Sequence, residues 1–193
     1  GSAVLGRRMT TTSNYTQVVE ALLPRIEPAW RTRCSRILRG ESSSFAQGWQ
    51  DWWMWWNVFR HRAELLEYGR GMYLDVGASN PTMASNTLFF DKCLGWTGVC
   101  FEPNTKYQRD YSKTRSCHLV PHCVLGTATR VVLTSGGTPQ TRHMTRARQN
   151  DTNAVDCVVV SAVLAQLGLA NRPVDLLSVD IEGVEASVLR CWP

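Results

Sequence analysis

The stretch Tyr73-Leu74-Asp75-Val76-Gly77-Ala78-Ser79-Asn80-Pro81 decides how this chain folds. It is a short apolar run that ends in a carboxylate and then in a glycine turn. About one βαβ unit later, Gly98-Val99-Cys100-Phe101-Glu102-Pro103-Asn104 gives a second apolar run, again ending in an acid. This order suits an α/β sheet that takes a nucleotide-type ligand at its strand ends. The turn lets backbone approach the ligand, and the acid accepts from ribose hydroxyls.

Outward from this pair, strands and helices alternate. Met72 to Val76 reads as a strand, Met83 to Cys93 as a helix, Thr97 to Phe101 as a strand and Thr105 to Thr114 as a helix. Cys117 to Leu125 reads as a third strand, weakened at Pro121, which has no N–H to donate. Arg130 to Thr134 is short and β-prone. Ser135 to Asn153 is polar, rich in Gly, Thr, Arg and Asn, and reads as a long loop. Val158 to Leu169 has helical spacing after a β-branched start. Val174 to Val179 reads as a strand and Val184 to Trp192 as a helix. Such alternation predicts an α/β, Rossmann-like, mostly parallel sheet with helices on both faces.

The region before Met72 reads as a helical extension. From Tyr15 to Arg39, apolar residues recur at helical spacing, and Pro24 and Pro28 break the region into two pieces. Trp49, Trp52, Trp53, Trp56, Phe59, Ala63 and Leu66 share one face of a helix expected from Phe45 to Tyr68. That aromatic face is expected to pack on the sheet. An exposed pocket wall or a membrane-surface helix are the functional alternatives. The expected division is residues 1–71 as the extension and 72–193 as the ligand-binding domain, with Gly1-Ser2 as the scar of a cleaved tag.

Composition sets the outer bounds. The chain has 193 residues, 44% of them hydrophobic and 19% charged, which suits a soluble globular domain with a proper core. A net charge of +5 mildly favours an anionic partner. Seven cysteines with irregular spacing and no C-x-x-C read as reduced thiols in an intracellular, cytoplasmic protein. No run reaches membrane-spanning length.

Ligands of open α/β sheets sit at the carboxyl ends of the strands. The first strand delivers Asp75, Gly77, Ala78, Ser79 and Asn80, and the second delivers Glu102 and Pro103. The third delivers Cys123 and Val124, and the last delivers Asp180 and Glu182. Glu102 stands where a ribose binder belongs, and its charge would repel a 2′-phosphate. The dinucleotide pattern G-x-G-x-x-G is incomplete, because Gly77 is followed by Ala78, Ser79 and Pro81. A pyrophosphate would lose part of its cradle there. A cofactor without phosphates, such as S-adenosylmethionine, needs none.

Four segments together resemble the FkbM-type branch of class I S-adenosylmethionine-dependent methyltransferases. They are the Asp75 to Pro81 turn, Ser85-Asn86-Thr87-Leu88-Phe89-Phe90, Gly95-Trp96-Thr97-Gly98 with Phe101-Glu102-Pro103-Asn104, and Asp175-Leu-Leu-Ser-Val-Asp180-Ile-Glu182-Gly183-Val-Glu185. The resemblance covers roughly Met72 to Leu189. It implies S-adenosylmethionine as cofactor and methylation of oxygen on a small molecule, a sugar or another anionic acceptor. It places Asp75, Gly77 and Ser79 around the methionine part, Glu102 on the ribose and Asp180 near the donor–acceptor junction. Sheets of this class continue for three strands beyond the one carrying Asp180. The sheet is therefore expected to be cut short, its open edge covered by a second copy, by absent strands or by the N-terminal helices.

Asp180 and Glu182 are the candidates for catalytic base or acceptor orientation. With Glu185 they form an acidic group, but Glu182 and Glu185 also suit a helix N-terminus, and no metal is assigned. Cys117-His118 and His122-Cys123 have zinc-like composition without zinc spacing, and read as ordinary strand residues. Arg142, Arg146 and Arg148 in the polar loop are candidate clamps for an anionic acceptor. RNA is not favoured, because no aromatic is interleaved there. The alternative function is a non-catalytic binding module that holds a partner, RNA or a membrane surface through the Trp helix and the basic loop.

Overall fold

The computed structural model describes residues 12–135, 142–148, 150–181 and 183–190. By its contacts the chain divides into two units. The first takes the chain up to Gly71 together with Thr82–Thr97. The second takes Met72–Pro81 and the chain from Gly98 onward.

The first unit is helical. Helix α1 (Thr12–Leu22) and helix α2 (Pro28–Leu38) are separated by a 3-10 turn at Leu23–Arg25, as Pro24 and Pro28 require. Helix α3 spans only Gln50–Asn57, and 3-10 turns at Phe59–His61 and Ala63–Leu65 replace the rest of the long helix expected there. Its buried face also differs. Asp51, Trp55 and Phe59 are buried at four-residue spacing, while Trp49 and Trp53 are about half exposed. The cause is Asp51, which sequence patterning puts on the wet side. Its carboxylate accepts from Ser44 Oγ, from Phe45 N at 2.7 Å and from Trp52 N at 2.8 Å, so the charge is buried with its partners. Helix α4 is shorter than expected (Leu88–Lys92). Ser85, Asn86 and Thr87 before it are residues whose side chains compete for backbone hydrogen bonds.

Within this unit Trp55 and Phe59 pack on other aromatic rings. Trp55 meets Phe89 at 5.5 Å between ring centroids, Phe59 meets Phe90 at 5.3 Å and Trp96 at 5.1 Å, all edge to face. Trp55 Nε1 donates to Tyr15 Oη (2.9 Å), which donates to the carbonyl of Leu38 (2.7 Å). Burial pushes the Tyr15 phenol up to about 12.

The second unit carries the sheet. Strands β1 (Met72–Val76) and β2 (Thr97–Phe101) and helix α5 (Thr105–Thr114) have the expected bounds. The third expected strand breaks at Pro121 into β3 (His118–Val120) and β4 (Cys123–Val124). Then follow β5 (Thr129–Ser135), β6 (Arg142–Arg146), β7 (Ala154–Val158), α6 (Val160–Gln166), β8 (Leu176–Val179) and α7 (Glu185–Leu189). Two sheets form where one was expected, in the orders β3-β2-β1-β8 and β4-β7-β5-β6. In the first, β2 pairs with β3 and β1 with β8, both in parallel. In the second, β5 runs antiparallel to β6 and β7, so part of the polar stretch from Ser135 to Asn153 is strand rather than loop. Cross-strand pairing specifies this hairpin, and its composition gives no apolar alternation to announce it.

All five residues of β1 are buried, as a central parallel strand demands. Met72, Leu74 and Val76 join Val99 and Phe101 in a core with Val160, Val163 and Leu164 of α6 and Val188 of α7. Tyr73 points to the opposite face, where Arg115, just after α5, lies 5.7 Å over its ring. The parallel sheet thus has helices on both faces.

Among the described residues six cysteines are joined in pairs, which corrects the expectation of reduced thiols. Cys34 pairs with Cys93 in the first unit. Cys100 pairs with Cys117, and Cys123 with Cys157, in the second. Spacing along the chain could not show this, because the partners lie 59, 17 and 34 residues apart and are brought together only by folding. Among the described residues no helix is long and apolar enough to cross a membrane.

Candidate functional site

Three strand ends of the parallel sheet converge. After β1 the chain turns at Gly77, whose N–H and that of Ala78 both donate to Phe101 O at the end of β2 (3.1 Å each). Asp180 N, just past β8, donates to Val76 O (2.9 Å). Gly77 has φ +83°, and a Cβ on it would lie 2.1 Å from Asp180 O and 2.9 Å from the Ile181 side chain. Glycine is therefore required by the approach of β8's end as well as by the turn, and not by a ligand alone.

Glu102 is the most organised acid of the group. It is 5% exposed, and its two carboxylate oxygens accept from Ser79 N at 2.7 Å and Asn104 N at 2.6 Å. Its own N–H continues the ladder to Val120 O. Asn104 caps α5, its side chain accepting from Lys106 N (3.0 Å). The carboxylate is thus fixed between the end of β2 and the turn after β1. Asp75 is buried on β1 at 4% exposure. Ala78 and Pro81 are buried, Asn80 and Pro103 half-buried, and Ser79 is exposed with φ 50°.

Asp180 is exposed beside Gly77, and Glu182 lies outside the described residues. Glu185 accepts from Ile181 N (3.2 Å) and Gly183 N (3.0 Å), so it ties down the start of α7. Among the described residues no group of three or more His, Cys, Asp and Glu is placed to hold a metal. Both sulfurs of the Cys117 to Cys123 segment are in disulfides with other strands.

Not every sequence candidate joins this group. Cys123 and Val124 form β4 in the second sheet, and Cys123 is bonded to Cys157. Arg142 and Arg146 lie on β6 of that sheet, paired with Ser135 and Val131, and the side chain of Arg142 is outside the described residues. Arg146 and Arg148 are exposed, and Arg148 N donates to Asp151 Oδ2 in a turn.

Three residues of α5 and its end were missed by sequence reasoning. Gln108 Nε2 donates to Glu102 O (3.1 Å), Tyr111 Oη to Ser79 O (3.1 Å), and Arg115 Nη1 to Pro81 O (3.4 Å). Their spacing of three and four was the available signal. A separate surface cleft in the first unit, about 370 Å³, is lined by Gly48, Trp49, Gln50, Trp52, Trp53 and Met54.

A turn with no Cβ at the end of one strand and a buried acid at the end of the next give this α/β protein a candidate ligand site. Residues 75–192 match the methyltransferase FkbM domain, and the chain belongs to that family. No match is found among curated proteins or among solved structures.

Proposed function

We propose that the chain is an S-adenosylmethionine-dependent methyltransferase that methylates oxygen on a small-molecule, sugar or other anionic acceptor. The observation that carries this reading is the Glu102 carboxylate, held by Ser79 N and Asn104 N beside the Gly77 turn. A fixed acceptor in that place suits two ribose hydroxyls, and charge-assisted bonds of this kind contribute about 1.5–3 kcal/mol each. Asp75 and the residues Gly77 to Asn80 would surround the methionine part. When bound, the cofactor supplies an electrophilic methyl group on a sulfonium. Asp180, exposed at the end of β8, would orient the acceptor or take its proton, and Glu182 is the second candidate for that role. Arg146 and Arg148, with Arg142, would meet an acceptor's negative charge.

Three disulfides favour an oxidising compartment over the cytoplasm. Calorimetry with S-adenosylmethionine and S-adenosylhomocysteine tests the donor site, with Glu102→Ala expected to weaken binding by about tenfold or more. Absence of binding by the unaltered protein, or equal binding by the variant, would sink the proposal.

One observation favours a second reading, a non-catalytic binding module. Trp49 and Trp53 are exposed at 46% and 55% and line the cleft of the first unit. Partner binding that survives Asp75→Ala and Asp180→Ala but not Trp53→Ala would support it.

A further inference from the structure

We infer that Gln108, Tyr111 and Arg115 form a positioning device that holds the Gly77–Pro81 turn, and through it Glu102, in the geometry a ligand meets. Spaced three and four apart, the three residues share one side of α5 and its end. Each donates to a different backbone carbonyl: Gln108 to Glu102 O, Tyr111 to Ser79 O and Arg115 to Pro81 O. Arg115 also donates to Tyr73 Oη on β1 at 3.0 Å, which anchors the far end of the device to the central strand. Tyr111 and Arg115 are 2% and 6% exposed, so their polar atoms depend on these partners.

Ser79 is the point where the device acts. It sits at φ 50°, a left-handed conformation that a residue with a Cβ keeps only when its surroundings impose it. Its N–H donates to Glu102 Oε2 while its carbonyl accepts from Tyr111 Oη, so the residue is clamped from both sides. Removing the Tyr111 hydroxyl frees one side, and the Glu102 carboxylate then loses a fixed donor. Gln108 steadies the same acid from behind, at its own carbonyl. Tyr111 and Arg115 are thus positioning residues that act through Ser79, Pro81 and Glu102.

The choice of ligand rests on the donor-site reading above, whereas the bracing of the turn does not. Tyr111→Phe removes one hydroxyl and keeps the ring, with Tyr107→Phe on the same helix as control. Hydrogen exchange on the full chain without ligand reads the bracing: amides of Gly77 to Asn80 should exchange roughly tenfold faster in Tyr111→Phe and unchanged in the control. Calorimetry with S-adenosylmethionine should then show affinity lowered roughly three- to tenfold in Tyr111→Phe alone. Unchanged exchange overturns the inference, and so does faster exchange with full affinity. If the unaltered protein binds neither S-adenosylmethionine nor S-adenosylhomocysteine, the donor-site reading falls, and exchange by itself decides whether the turn is braced.

Discussion

Gly77 carries the tightest constraint of any single residue at the site. Its φ of +83° and the 2.1 Å that would separate a Cβ from Asp180 O leave room for no side chain. Gly77→Ala is expected to cost about 2–4 kcal/mol, combining left-handed strain with displacement of backbone. At this chain length that lowers the melting temperature by roughly 4–16 °C, measurable by calorimetry or circular dichroism. Tyr15 gives a second residue-scale expectation, readable by ultraviolet titration. Burial raises its pKa from 10.0 to about 12. The folded state therefore holds the phenol proton more tightly than the unfolded chain does. The stability this lends is complete below about pH 10 and is lost as pH rises through 12. Tyr15→Phe should remove both the late titration and this part of the alkaline sensitivity.

At the scale of elements, helix α3 depends on an acid. Asp51 is fully buried and accepts from Ser44 Oγ, Phe45 N and Trp52 N. Asp51→Ala leaves the Phe45 and Trp52 amides without it, at an expected cost of about 2–4 kcal/mol in thermal or urea unfolding. Asp51→Asn should recover part of the loss, since its amide oxygen still accepts. The strand elements show what patterning conveys. Strands β1 and β2 were legible to the residue because each is an apolar run closed by an acid. The hairpin of β5 and β6 was not legible, because Arg142 to Arg146 has no apolar alternation and its strand form rests on pairing with Val131 to Ser135. The Trp helix was misjudged in its orientation because spacing alone treats an aspartate as solvent-facing. Here Asp51 is taken inward by backbone amides that no periodicity reveals.

At the scale of the whole molecule, three disulfides are the main consequence that reaches beyond the site. Each is expected to stabilise by about 2–4 kcal/mol, chiefly by restricting the unfolded chain. Thiol titration of the unfolded, non-reduced protein should find Cys34, Cys93, Cys100, Cys117, Cys123 and Cys157 blocked. Reductant should lower the melting temperature by several degrees at least. Six reactive thiols at these positions before reduction would contradict the bonding pattern.

Sequence by itself determined the parallel α/β sheet, the Gly77 turn, Glu102 at the end of β2 and the family. These depend on local patterns, in which the residues that matter stand next to one another in the chain. Tertiary structure alone decided the pairing of the cysteines, the split into two sheets, the burial of Asp51 and the reach of Tyr111 and Arg115 to the turn. Asp51 apart, whose partners Ser44, Phe45 and Trp52 are near neighbours in the chain, each of those joins groups far apart in sequence, and only the folded chain's packing determines which of many candidate partners meet. The Gly77 requirement spans both levels: the glycine is visible in the sequence, and the carbonyl of Asp180 that excludes anything larger is visible only in the fold.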